Sequence, residues 1–157
     1  LGRLVERADM TTRVLGVRAA GLLAARADAQ AEGPSASGHV ALGDDVEWMA
    51  VLRSLSALQM YHRAVRGPIE AEAVVRFLLF HAPFPRSVAG CFDEIRSVLT
   101  ALPSSRSPLE ALDEAHDVLT ECDPVVADGR DLDRAMEACQ TAITALDQAI
   151  HERYVVG

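Results

Sequence analysis

Lysine is missing altogether: all 15 basic residues are arginine. A Schiff-base or lysine-nucleophile mechanism is thereby excluded. Neither G-x-x-x-x-G-K-[ST] nor G-x-G-x-x-G occurs, so no phosphate-cradling loop and no bound cofactor is expected. Aromatic residues make up only 4% of a chain that is half apolar, so the core must be built from Leu, Val and Ala. No apolar run approaches transmembrane length and no secretory core is present, which gives a cytoplasmic expectation and no membrane partner. The net charge of −8 argues against a nucleic-acid partner.

Cysteine and histidine are equally sparse as ligand sets. Cys91, Cys122 and Cys139 form an odd number without C-x-x-C spacing, each on or beside an apolar stripe, and read as buried structural thiols. A di-iron bundle needs two Glu-x-x-His units, whereas Asp113-x-x-His116 occurs once, so no metal site is expected. His62 and His116 both fall on inward stripes and read as core histidines.

What is present is helical periodicity. At 157 residues the chain suits one domain, and the patterns predict an all-α bundle of about six helices. The first runs from Leu1 to about Ala31, with Leu1, Leu4, Val5, Ala8, Leu15, Ala19, Leu22 and Leu23 on one stripe. Its opposite face mixes Arg3, Glu6 and Arg13 with Met10, Val14 and Val17, which predicts a long central helix packed on two sides. Residues 32–43 read as a flexible loop, followed by a second helix capped by Asp44 or Asp45 that runs to Gly67-Pro68. Pro68 is placed to open a third helix ending in the buried segment 74–80. The fourth has Val88, Cys91, Phe92, Ile95, Leu99 and Leu102 inward. Ser107-Pro108-Leu109-Glu110 matches a capping box for the fifth. The last turns Leu132, Met136, Cys139, Ile143, Leu146, Ile150 and Tyr154 inward.

Charge is uneven. Residues 1–26 hold five Arg against Glu6 and Asp9. Two Glu-Arg pairs stand near the ends, Glu6-Arg7 and Glu152-Arg153, with Arg3 and Arg13 one turn from acidic neighbours. One reading is an ion-pair network; the other is a site for an anionic group, since a guanidinium fork matches carboxylate or phosphate. The candidate binding residues are Arg3, Glu6, Arg7, Arg13, Glu152 and Arg153.

These residues carry a family resemblance. Residues 1–13 (Leu-Gly-Arg-Leu-Val-Glu-Arg-Ala-Asp-Met-Thr-Thr-Arg), Leu52 to Leu58, Val74 to Phe80, Phe84 to Val88 and Ile150 to Tyr154 together resemble the alpha-E family of helical bacterial proteins. The resemblance implies a longer domain of two related halves, of which this chain is similar to the C-terminal one. An uncapped start and a two-faced first helix would follow, with the N-terminal half as a partner. Family members also sit beside ATP-grasp proteins that look like amide ligases. The resemblance therefore implies an accessory interaction domain for such a ligase, or alternatively an enzyme of amide metabolism with Glu6 between the halves. An exposed docking surface further predicts a homodimer through the first helix and the Phe77–Phe80 region.

Overall fold

A computed structural model describes residues 1–32, 37–122 and 129–156, with the side chains at 19–20, 22–45 and 129–131 outside that description. Among the described residues seven α-helices follow one another: α1 (Gly2–Glu32), α2 (Ser37–Ser54), α3 (Leu58–Ala64), α4 (Ala71–Phe80), α5 (Val88–Ala101), α6 (Arg106–Glu121) and α7 (Gly129–His151). The last widens into a π-helical turn, Glu152–Val156. Among the described residues there is no strand, and no helix is long and apolar enough to cross a membrane. The all-α expectation holds.

The extra helix arises where the expected second one breaks. Ser56 takes φ +54°, and the Ala57 N–H reaches back to the Leu52 carbonyl at 2.7 Å. This closes α2 and redirects the chain into α3, so that Leu55 and Ala57 are both buried. At its other end α2 begins at Ser37 and passes through Asp44 and Asp45. Residues 37–43 of the expected loop are therefore helical, and residues 33–36 lie outside the described residues. Pro68 does not open α4; Gly67, at φ +146°, lies in a bend of the connection, and α4 starts at Ala71.

The core follows the Leu and Val stripes. α7 runs antiparallel to α1, since Gly16 faces Met136 and Gln140 while the first turns of α1 meet Ile143 and Asp147. α6 packs on α7, and α5 packs on α1 and α6. Leu4, Val5, Ala8 and Leu15 of α1 bury with Val88, Cys91, Phe92, Ile95 and Leu99 of α5 and the predicted α7 stripe from Leu132 to Ile150. Each large aliphatic so buried contributes roughly 1.5–3 kcal/mol. Three of the aromatics cluster, with Phe77 stacked on Phe84 and meeting Tyr61 edge-on.

One turn holds α1 in place. Ser87 caps α5 by accepting a hydrogen bond from the Gly90 N–H at 3.0 Å. A Cβ at Gly90 would lie 2.7 Å from the Ala82 carbonyl and 2.8 Å from that of Phe84, so glycine is required by close approach. The turn presents the Arg86 carbonyl, 2.8 Å from the buried Thr11 hydroxyl of α1.

Three local expectations fail. Ser107 is not a cap: α6 starts at Arg106 after Ser105, and no side chain caps it. Pro108 fits because the first N–H groups of a helix have no intrahelical partner anyway, and Glu110 pairs with Arg106 at 2.9 Å instead. His62 and His116 are exposed. Tyr61 and Ala115, one residue earlier in each case, take the inward positions.

Candidate functional site

The outer side of α1 carries the chemistry. Between α1 and α7 lies a cleft of about 280 Å³ lined by Gly2, Val5, Glu6, Asp9 and Arg13 from α1, and by Ile143, Thr144 and Asp147 from α7. Helical spacing explains the set, because positions 2, 5, 6, 9 and 13 share one flank of α1. Three carboxylates meet one guanidinium there. Arg13 Nε donates to Asp9 Oδ2 at 2.6 Å, and this bond with the Asp9 charge raises the arginine's pKa above its ordinary value. Glu6 is exposed rather than clamped under packed helices.

A second, larger groove of about 520 Å³ adjoins the first on the α2 side. Arg13, Val14, Val17, Arg18 and Gly21 line one wall and Glu47, Ala50, Val51 and Ser54 the other. Arg13 thus borders both hollows. Met10 is 56% exposed and Val17 76%, so these two residues of the mixed face of α1 are left open among the described residues. Two-sided packing of α1 was expected; among the described residues Val14 is partly buried against the core, while Met10 and Val17 face open space.

Arg18 forms the floor of this groove and was missed in the sequence. It is buried, paired with Glu47, and its guanidinium lies 5.2 Å from the Trp48 ring centroid. The available signal was its place next to Leu15 at i+3, which puts an arginine on the edge of an apolar stripe.

The other candidate residues lie apart. Arg3 and Arg7 are exposed on α1 but border neither hollow. Arg7 lies close enough to Cys91 for its charge to act on that thiol, which burial nevertheless pushes up to about 11. Arg153 donates to the Ser104 carbonyl at 2.9 Å, and Tyr154 donates to that of Pro103 at 3.3 Å. Glu152 accepts from Gln148 at 2.9 Å. The two Glu-Arg pairs therefore have different duties: the second fastens the end of α7 to the α5–α6 turn, while Glu6 of the first opens onto a cleft.

All three cysteines are buried and free, as expected. No group of three His, Cys, Asp or Glu suited to a metal occurs among the described residues.

A family model described as a predicted alpha-helical domain with a conserved ER motif matches residues 1–155. Glu-Arg occurs twice within that span, at Glu6-Arg7 and Glu152-Arg153. No curated protein and no solved structure matches the chain.

Proposed function

The chain belongs to the Alpha-E family, and from that premise we propose that it is a helical interaction domain whose α1 outer face docks an ATP-grasp amide ligase in the cytoplasm. The observation that carries the reading is exposed Met10, Arg13 and Val17 around half-buried Val14, beside an open groove. Residues at i, i+3, i+4 and i+7 make one continuous stripe, and large apolar side chains left in water beside arginines are the usual makings of an interface. Arg3 and Arg7 extend the basic character toward the start of α1. The same face suits the N-terminal half of a two-repeat domain or a second copy of this chain, and half-exposed Phe80 lies outside the core.

The test is co-elution of the purified chain with a candidate ligase across a salt series. Val17→Asp combined with Arg13→Ala should weaken the complex at least about tenfold and flatten its salt dependence. Unchanged binding and salt dependence would sink the proposal. Sedimentation of the chain alone separates a homodimer from an open docking face.

A second reading is favoured by the cleft itself, where Glu6 stands with Asp9, Thr144 and Asp147. In it Glu6 is a carboxylate acid/base or ligand-binding group of an amide-metabolising enzyme. Glu6→Gln would then abolish turnover with the ligase complex intact; in an interaction domain it leaves turnover by the ligase unchanged.

A further inference from the structure

At the far end of α6, away from the outer face of α1, two thiols touch. Cys122 Sγ and Cys139 Sγ are 3.5 Å apart, with Cys122 8% exposed and Cys139 2%. We propose that Cys122 and Cys139 are an oxidisable dithiol, a site of peroxide modification that closes into a disulfide joining the end of α6 to the middle of α7.

The backbone allows the closure. Cys122 is the first residue beyond α6, with φ −71° and ψ 84°, and its N–H is shared between the Val118 and Leu119 carbonyls at 3.2 Å each. A residue at a helix end can turn its Cβ by the small amount needed to bring sulfur from contact to the ~2.05 Å bond. Cys139 sits inside α7 on the inward stripe and supplies the fixed partner.

The chemistry is divided between the two. The Cys139 S–H donated to Cys122 lowers the Cys122 pKa, against the opposing effects of burial and Glu121. The same contact, with burial, raises that of Cys139. Cys122 is accordingly the attacking sulfur. Its thiolate attacks one oxygen of hydrogen peroxide, the O–O bond breaks, and the departing hydroxide takes the proton that Cys122 gave up, leaving water and a sulfenic acid. Cys139 Sγ then attacks that sulfur; the S–S bond forms, the S–O bond breaks, and the hydroxyl leaves with the Cys139 proton as a second water. Two thiols and one peroxide give one disulfide and two waters.

The third cysteine is the internal control. Cys91 is fully buried, donates to the Pro85 carbonyl at 3.6 Å, and its thiol is held protonated by burial. It should stay reduced.

The chain without lysine is cut by trypsin only at arginine, which puts the three cysteines on separate peptides: Ser87–Arg96, Ser107–Arg130 and Ala135–Arg153. The whole chain is treated with hydrogen peroxide, denatured with iodoacetamide, digested and weighed. The expected result is a cross-link between the second and third peptides, a chain lighter by about 2 Da, and alkylated Cys91. Before denaturation, Tm should rise by about 5–10 °C and return with dithiothreitol. Cys139→Ser should leave Cys122 as a sulfenic acid that dimedone captures, while Cys122→Ser leaves Cys139 unmodified. The proposal is overturned by alkylation of Cys122 and Cys139 to the same extent as Cys91, by links between two chains, or by sulfinic acid without a cross-link.

Discussion

Helix α1 has two faces that treat similar residues in opposite ways. On the inner face Leu4, Val5, Ala8 and Leu15 are sealed against α5 and α7, and even Thr11 and Thr12 are fully buried, their hydroxyls within bonding distance of backbone carbonyls. On the outer face Met10 and Val17 stand in the open beside Arg13. Apolar character is common to both, so it does not decide burial. What decides it is whether a neighbouring helix supplies a matching stripe: α5 and α7 do for the inner face, while α2 leaves a groove. The inner face answers for the fold and the outer face is available for function.

The contrast can be attacked experimentally, beginning where the effect is greatest. Leu15→Ala, at a position with no exposure, should cost about 2–5 kcal/mol in urea unfolding. A loss below 1 kcal/mol would show that the inner face is looser than described. Gly90→Ala should cost about 1–3 kcal/mol, because the new methyl would collide with two backbone carbonyls and displace the turn that meets Thr11. A neutral result in the same unfolding assay would remove that turn from the devices that hold α1.

Cys91 offers a pH handle on the sealed side. Its folded pKa stands near 11 against an ordinary 9.0, so the folded state holds the proton more tightly. The associated stability is fully present below pH 9.0 and is lost as pH rises toward about 11. Cys91→Ala should flatten the decline in Tm over that window, and identical curves for both proteins would refute the assignment. The smallest effects belong to the outer face. Val17→Ala and Glu6→Gln should each leave Tm within about 2 °C of wild type, because neither side chain is buried. A drop of several degrees in a thermal melt would mean that the outer face is covered after all.

Much of this architecture was readable from spacing. The inward stripes of α5 and α7 are occupied residue for residue from Val88 to Leu99 and from Leu132 to Ile150, because a long amphipathic repeat leaves one way to bury its apolar side. Short-range signals were less dependable. Ser107 and Glu110 satisfy the capping-box pattern, yet the helix begins two residues earlier than that pattern implies, at Arg106, and Glu110 pairs with Arg106. The break at Ser56 has no Gly or Pro to announce it. His62 and His116 were misplaced by one position, since at 100° per residue an adjacent Tyr61 or Ala115 fits the same stripe equally well. Of the candidate site, Glu6 and Arg13 are brought to one cleft, whereas Arg3, Arg7, Glu152 and Arg153 are not.

Local chain chemistry by itself determined the helical class, the aliphatic core and the arginine-bearing outer face of α1. Those properties follow from residue type and the 3.6-residue repeat, which act within a few turns of one helix. Only the tertiary structure decided that Asp147 joins Glu6, that Arg18 is buried over Trp48, and that Cys122 touches Cys139. Each of these depends on the register between two helices distant in sequence, and that register is set by how their side chains interdigitate, which no single stripe specifies.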